Sequence, residues 1–290
     1  LNGEKFRAEL RFIPAVLKGK RCTQLYVRPV ERHIGKSVPL WKDNPWEHKI
    51  PTVQSLPATE VATQAPLGMR IAFHKLHRLK EKLPVLYVAE PLVQQQGQVR
   101  LDYAALLRQP DIAANRFRLD YWVIEQIVLK LSSQVREASS YLVFVSITET
   151  ILNNEEQLTQ LIGLLDANPA VAKRLVIATP YPANGGNHQA IKKLQTLLRG
   201  VGAFLAIDSW VMDANALQLL KDVKPLMVRF SPRVLAATLK TNQLPVLRGI
   251  VRRLVDSQCR VIITGIINEA AFRAAHATAA SYAQGSYIAQ

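Results

Sequence analysis

Short apolar segments alternate with amphipathic segments of helical period along most of the chain from about residue 83 onward. Strand cores such as LVFV at 142–145 and RVII at 260–263 are apolar with little alternation of polar residues. Apolar strands separated by amphipathic helices are typical of a parallel sheet that helices cover. Six or seven such units in roughly 200 residues predict a closed β/α barrel of the TIM type and not an open sheet.

The individual elements follow from the same periodicities. The predicted strands are 85–93, 99–107, 141–147, 174–179, 203–208, 226–230 and 260–264, followed by a short segment at 282–288. The predicted helices are 69–82, 121–136, 155–167, 191–199, 214–220, 244–257 and 269–278. A tight Gln/Gly turn at 94–98 joins the first two strands, so this opening pair is predicted to be antiparallel and to depart from an ideal barrel.

The first 67 residues have a different character. Phe6, Leu10, Ile13 and Leu17 recur at helical spacing and predict a helix, which a turn at 18–20 and a strand at 23–30 follow. Prolines at 39, 45, 51, 57 and 66 then interrupt regular structure and favour an extended connection. We therefore predict a short α+β remnant at 1–30, a linker at 31–67 and the barrel at 68–290.

Composition places the chain among globular proteins, with 49% hydrophobic and 20% charged residues. Cys22 and Cys259 belong to no CxxC pair or Cys/His cluster, so the sequence supports neither a disulfide framework nor a zinc site. No metal or other cofactor is expected. The isolated cysteines favour a reducing, cytoplasmic setting. Because the chain begins at Leu1 instead of Met, we expect a fragment of a longer protein that could be anchored to the inner membrane.

The net charge of +15 is unevenly distributed. Residues 1–82 hold 16 Lys and Arg against 7 Asp and Glu, whereas the remaining residues hold 21 against 15. A basic N-terminal region attracts phosphate-bearing partners, among them RNA. A solubilising, solvated surface explains the charge equally simply, and no interleaved aromatic residues support an RNA-binding platform. Both interpretations stay open.

Seven segments of the barrel resemble, in order and spacing, motifs of the EAL domain, the barrel enzyme family that hydrolyses cyclic di-GMP. The segments are Ala89-Glu90-Pro91-Leu92-Val93, Tyr103-Ala104-Ala105-Leu106-Leu107-Arg108, Val145-Ser146-Ile147-Thr148, Ala206-Ile207-Asp208-Ser209-Trp210, Val228-Arg229-Phe230-Ser231, Ile263-Thr264-Gly265-Ile266-Ile267 and Gln284-Gly285. They are similar, in turn, to the Tyr-Gln-Pro-Ile-Val strand, the Glu-Ala-Leu signature with its following Arg, Val-Asn-Leu-Ser, Ala-Leu-Asp-Asp-Phe, Leu-Lys-Ile-Asp, Ala-Glu-Gly-Val-Glu and the closing Gln-Gly.

The resemblance implies that the site for two divalent metal ions is degenerate. Such ions need carboxylate and other oxygen ligands at the C-terminal ends of the strands. The family's ligand positions correspond here to Ala104, Ser146, Ile177, Ser209 and Thr264, with Ile267 and Ser231 also replacing acidic residues. Only Asp208 keeps a carboxylate among these positions, and Arg229 replaces the family's lysine. The resemblance therefore implies no catalytic residues and no phosphodiesterase activity.

Ligand binding is a separate expectation. Arg108 keeps the position of the family's phosphate-contacting arginine, although a surface salt bridge is the alternative, and Gln284 could line the same mouth. Asp208 and Arg229 could form an internal ion pair that fills the vacated metal site, or Asp208 could simply be solvated. These four residues form the vestigial ligand site.

Residues 1–30 weakly resemble the end of a GGDEF domain, so the chain is similar to degenerate tandem GGDEF–EAL regulators of the CsrD-like type. Proteins of this kind regulate biofilm, pili and adhesins, and the CsrD-like ones promote RNA turnover. We therefore expect an inactive regulatory module that binds a protein partner and could be linked to RNA. The alternatives are a cyclic di-GMP receptor that does not hydrolyse its ligand and a residual phosphodiesterase.

Overall fold

The computed structural model describes residues 8–17, 20–29, 69–80, 83–95, 98–101, 107–108, 116–133, 141–182, 188–211 and 215–288. Elements are numbered among these residues. The chain divides into two compact units, Leu1–Pro51 with Gln290 and Thr52–Ala289, and each is described by itself. The predicted linker at 31–67 lies outside the described residues, so its structure stays a prediction.

The first unit contains an antiparallel hairpin of β1 (Ala8–Leu17) and β2 (Lys20–Pro29), with Ala8 opposite Pro29 and Leu17 opposite Lys20. The helix predicted for 6–17 is therefore wrong. A proline at position 14 would remove a hydrogen bond from the interior of a helix. In the hairpin, apolar residues occupy matching register positions, with Leu10 opposite Val27 and Phe12 opposite Leu25.

The second unit is the barrel that the sequence predicted. Its strands are β3 (Met69–Lys75), β4 (His77–Arg78), β5 (Val85–Gln95), β6 (Gln98–Leu101), β7 (Tyr141–Ser146), β8 (Leu175–Pro180), β9 (Phe204–Trp210), β10 (Met227–Phe230), β11 (Arg260–Thr264) and β12 (Tyr282–Gln284). They pair in the order β3-β5-β7-β8-β9-β10-β11-β12-β4. Only Leu76 separates β3 from β4, so one stretch of chain pairs with β5 on one side and with β12 on the other and closes the circle.

That closing stretch corrects the prediction for 69–82, which is not a helix. Met69, Ile71 and Phe73 alternate with more polar residues, a period of two that the surrounding basic residues obscured. The stretch is antiparallel to both neighbours. The predicted antiparallel pairing of the opening strands is confirmed for β5 and β6, but β6 is short and lies off the barrel path.

Helices cover the strands on the outside of the barrel. They are α1 (Arg116–Ser133), α2 (Glu155–Asp166), α3 (Pro169–Ala172), α4 (His188–Gly200), α5 (Ala216–Val223), α6 (Pro232–Lys240), α7 (Leu244–Asp256) and α8 (Glu269–Ala277), with a 3₁₀ turn at Glu149–Asn153. The sequence did not predict α6, although Ser231 before Pro232 is a helix-start signal and the Ser231 hydroxyl accepts from the Arg233 N–H. None of the described helices is long and apolar enough to cross a membrane.

The core has two layers because side chains on a strand alternate between its two faces. The larger layer packs between strands and helices and includes Ile177, Val228 and Ile263. The inner layer fills the barrel with side chains from nearly every strand: Leu76, Leu86, Val88, Phe144, Val176, Ala178, Ala206, Met227, Ile262 and Tyr282. The interior is therefore a packed apolar core, and any polar site has to lie at its ends.

Candidate functional site at the barrel mouth

The mouth of the barrel is formed by the next inward positions along the strands, toward their carboxyl ends. Two residues beyond an inner-layer side chain, the strand again points inward. These positions hold Glu90, Ser146, Pro180, Asp208, Arg229, Thr264 and Gln284. The carboxyl ends of parallel barrel strands carry the active sites of this architecture, so this polar layer is the candidate site.

Arg229 and Asp208 form the centre of the layer. Arg229 Nε donates to Asp208 Oδ1 at 2.7 Å, and Arg229 Nη2 donates to Asp208 Oδ2 at 2.5 Å. This side-on pair uses two parallel hydrogen bonds, the strongest geometry available to a guanidinium and a carboxylate. Only 14% of the Arg229 side chain and 10% of the Asp208 side chain are exposed, so the pair is buried. The ion pair is thus present, and the alternative of a solvated Asp208 is wrong.

Three further groups surround the guanidinium. Arg229 Nη2 donates to Ser146 Oγ at 3.1 Å, and Nη1 donates to Gln284 Oε1 at 3.5 Å. Glu90 Oε1 lies 3.8 Å from Nη1. On the barrel side, the guanidinium carbon lies 4.7 Å from the centre of the Phe144 ring, a cation–π contact. One arginine therefore contacts side chains from four other strands.

A bulge in β9 positions Asp208. The pairing of β9 with β10 shifts register between Val228 and Phe230, so that Asp208 and Ser209 together lie opposite Arg229. Ser209 has a φ of 52°, the left-handed region that non-glycine residues seldom adopt. Its backbone N–H donates to Asp208 Oδ1 at 2.5 Å. The bulge thus adds a backbone hydrogen bond to the carboxylate and leaves the Ser209 side chain exposed.

The electrostatics of Asp208 follow from these contacts. Burial by itself would raise the pKa of Asp208, but the charge of Arg229 and the hydrogen bonds from Arg229, Ser146 and Ser209 N–H hold that pKa below its ordinary value. The Ser146 hydroxyl donates to Asp208 Oδ2 at 2.7 Å. Each carboxylate oxygen accordingly accepts two hydrogen bonds, which fills the usual capacity of the group.

The structure brings together four of the predicted site residues, Ser146, Asp208, Arg229 and Gln284. Thr264 is in the same layer, but its hydroxyl donates to the Phe230 carbonyl at 2.7 Å. The placement of a metal-ligand position at Ile177 is wrong, because the Ile177 side chain is fully buried between the strands and the helices. Side chains alternate along β8, so the neighbouring Ala178 points into the barrel instead.

Two further positions, Ala104 and Arg108, were predicted for the site. Ala104 lies outside the described residues. Arg108 is exposed in a turn with Leu107, and its role as a phosphate contact stays a prediction.

Sequence reasoning missed Glu90, which adds a second carboxylate to the mouth. It corresponds to the family's Gln in the Tyr-Gln-Pro segment and therefore did not belong to the ligand positions that the resemblance supplied. The signal was available, since Glu90 is a lone charged residue directly after the apolar run at 85–89. An isolated charge at the carboxyl end of a barrel strand is a candidate site residue on physical grounds alone.

A pair of divalent metal ions does not fit this arrangement. Both oxygens of Asp208 are already engaged by Arg229, Ser146 and Ser209. The positive guanidinium repels a cation at the same place. Within the residues that the structure describes, no group of three or more His, Cys, Asp or Glu side chains could hold a metal ion. The described mouth residues therefore do not fit the two-metal centre that a metal-activated water would need.

Comparison with known families decides the relationship. The model of the EAL domain matches residues 101–290. The chain belongs to the EAL-domain family. No curated protein sequence matches it.

Solved EAL domains share the fold. The FimX EAL domain from Pseudomonas aeruginosa, bound to c-di-GMP, is 19% identical with a TM-score of 0.67, over 77% of this chain and 90% of that one. The FimX EAL domain from Xanthomonas citri, in complex with c-diGMP, is 14% identical with a TM-score of 0.66, over 77% and 87%. Vibrio cholerae LapD, an S helix-GGDEF-EAL chain bound to c-di-GMP, is 12% identical with a TM-score of 0.65, over 74% and 52%. At such identities the likeness shows the barrel fold alone.

Proposed function

We propose that this EAL domain does not hydrolyse cyclic di-GMP and acts as a regulatory module that binds a protein partner. The observation that carries the proposal is the bidentate ion pair of Arg229 with Asp208. Hydrogen bonds from the Ser146 hydroxyl and the Ser209 N–H occupy the remaining positions on the carboxylate. A carboxylate saturated in this way is a poor metal ligand, because a cation would first have to break a buried, bidentate ion pair.

The apolar rim of the mouth supports binding of a protein. The rim consists of Val211, Ile267 and Tyr287, which follow β9, β11 and β12 and are 39%, 61% and 40% exposed. Scattered exposed apolar residues are common, but three around one barrel mouth form a candidate contact surface. Of the described large apolar side chains, only Leu239 and Val246, on α6 and α7, are comparably exposed.

The absence of hydrolysis is tested directly. The purified protein is incubated with cyclic di-GMP and either Mg²⁺ or Mn²⁺, and the products are separated by chromatography, with an active EAL enzyme as positive control. We expect no linear dinucleotide. Steady formation of linear product by the wild-type chain would contradict the proposal and establish a residual phosphodiesterase.

Partner binding is tested with a matched pair of surface variants. Ile267→Asp removes the most exposed rim residue, whereas Val246→Asp makes the same change on α7, where Val246 is 55% exposed. Proteins captured from native cytoplasm by the wild type should be lost with Ile267→Asp and retained with Val246→Asp. Equal capture by both variants would show that the rim does not contribute.

A cyclic di-GMP receptor is the second candidate, because solved structures with this fold were obtained with c-di-GMP bound. Isothermal titration calorimetry with cyclic di-GMP distinguishes the two functions. A receptor would show saturable binding that weakens in Arg108→Ala, since that position matches the family's phosphate-contacting arginine. Titration without heat would remove this candidate. The CsrD-like type and the link to RNA stay predictions from the resemblance.

A further inference from the structure

We propose that α6 and α7 form a docking surface for an anionic lipid bilayer. The basic face of these two helices carries five exposed cationic side chains, which are Arg233, Lys240, Arg248, Arg252 and Arg253. Contact with a membrane through this face goes beyond the protein binding proposed above.

The charge of the basic face is not neutralised within the protein. Residues 231–255 contain five Arg and Lys residues and no Asp or Glu. Among the residues that the structure describes, none of the five side chains forms an ion pair. Exposed basic residues on other helices differ, since Lys193 pairs with Glu155 and Arg273 pairs with Glu269. The basic face therefore presents its positive charge to an outside partner.

Helical periodicity places the cations on the outside of the barrel. The buried side chains of α7 belong to the core, whereas Arg248 and Arg252, four residues apart, lie on its exposed side. On α6, Leu235 is buried, and Arg233 and Lys240 lie two turns apart on the exposed side. The two helices contact each other. Their cations thus occupy adjoining exposed surfaces.

The turn between the two helices adds apolar side chains to this charge. The turn spans residues 241–243, and Asn242 adopts a left-handed φ of 54°, which ends α6 sharply. Leu239 and Val246 flank the turn and are 40% and 55% exposed. At a bilayer surface, apolar side chains enter the boundary between headgroups and acyl chains, while Lys and Arg contact the anionic headgroups. The turn and the basic face together provide both kinds of contact.

The same residues favour a bilayer over other partners. Residues 232–256 include no Phe, Tyr, Trp or His, the side chains on which the bases of single-stranded nucleic acids stack. A second copy of this chain docking through the same face would bring two unneutralised basic surfaces together, which is electrostatically unfavourable. Anionic headgroups instead complement the charge and require no preformed pocket.

Sedimentation of the whole chain with lipid vesicles tests the proposal. We expect binding to phosphatidylcholine vesicles that contain about one-third phosphatidylglycerol, and no binding to pure phosphatidylcholine. Salt should weaken the binding, because it screens exposed charges. Arg248→Gln with Arg252→Gln should lower the partition coefficient by about 25-fold, since each cation near an anionic surface contributes about fivefold.

The control for these variants makes the same change in charge on α4. Lys192→Gln with Arg199→Gln should partition as wild type, and both double variants should keep the wild-type Tm because all four residues are exposed. Equal loss of binding in the two double variants would show that binding follows net charge and would overturn the proposal. So would unchanged binding of the α7 variant, which would place the lipid contact elsewhere in the chain.

The apolar contribution of the turn has its own variant. Leu239→Ser with Val246→Ser should weaken binding to the anionic vesicles without changing its salt dependence, because the cations remain. Undiminished binding would contradict the role of the turn. Failure of wild type to bind anionic vesicles would overturn the proposal, and binding of single-stranded RNA in its place, lost in the α7 variant, would identify the basic face as a nucleic-acid surface.

Discussion

At the scale of single residues, the pairing of Asp208 with Arg229 is the feature with the largest consequences. Substituting Asp208→Asn keeps the shape of the side chain but leaves the buried guanidinium of Arg229 with only the more distant Glu90 carboxylate as a counter-charge. Removing one partner of a buried pair costs about 3–5 kcal/mol of unfolding free energy. Urea unfolding at neutral pH measures the loss. Asp222→Asn on α5, which is exposed, is the control and should change stability little.

The same carboxylate sets a dependence on pH. Because the pKa of Asp208 is below its ordinary value in the folded chain, the charged form stabilises the fold at any pH above the unfolded value of about 4. That contribution disappears as the pH falls through the lowered pKa. Wild type should thus lose more stability than Asp208→Asn on acidification from pH 5. Parallel curves for the two proteins would contradict this account.

Glu125 on α1 should change stability with pH in the opposite direction to Asp208. Burial raises the pKa of Glu125 from about 4.5 to about 7, and its Oε2 has no hydrogen-bond partner among the described residues. The unfolded chain ionises at lower pH than the folded one, so stability falls as the pH rises from 4.5 to 7. Glu125→Gln should therefore be more stable than wild type at pH 8, by roughly 3 kcal/mol, with little advantage at pH 4.5. Thermal melts at both pH values test this.

Most residues of the barrel mouth could be predicted from the sequence, but not all of them. Asp208, Arg229, Ser146 and Gln284 could be predicted because each occupies a motif position. Glu90 could have been chosen as a lone charge at the end of a strand, but its contact with Arg229 depends on the closeness of β5 to β10 across the barrel, which no local pattern contains. The error at Ile177 has the same origin, since a shift of one residue on a strand changes the face on which a side chain lies.

At the scale of elements, the loops after β11 and β12 meet closely at Gly285. A Cβ at this position would lie 2.2 Å from the Ile266 carbonyl oxygen and 2.4 Å from its backbone nitrogen. Backbone cannot yield as a flexible side chain can, so Gly285→Ala should destabilise the barrel by about 3 kcal/mol or more. Gly163→Ala on α2, where nothing lies within 4 Å, should be about 0.5–1 kcal/mol more stable. Chemical denaturation of the two variants measures both effects.

The parallel strands and most barrel helices could be predicted from period alone, because their apolar runs and amphipathic faces are unambiguous. The antiparallel segments could not. In β1, residues at helical spacing coincide with residues that alternate, and only pairing with β2 decides between the two. In β3, a run of basic residues obscured alternation that becomes meaningful once β5 lies beside it. Tertiary pairing overrides local propensity in such segments.

At the scale of the whole molecule, the order of strands around the barrel turns scattered motifs into one site. Residues from 90 to 284 meet at a single mouth because parallel strands place their carboxyl ends together. The sequence therefore sufficed for the fold and for much of the candidate site. It left open whether Asp208 is paired with Arg229 or solvated, since that depends on the length and direction of one arginine side chain.

Whether metal ions can occupy the barrel mouth is decided by anomalous scattering at the manganese edge from crystals soaked in MnCl₂. We expect no anomalous peak within the barrel mouth of the wild-type protein, with the Arg229 guanidinium lying side-on against Asp208. A well-occupied pair of manganese peaks at the carboxyl ends of the strands, with Arg229 displaced from Asp208, would contradict this expectation.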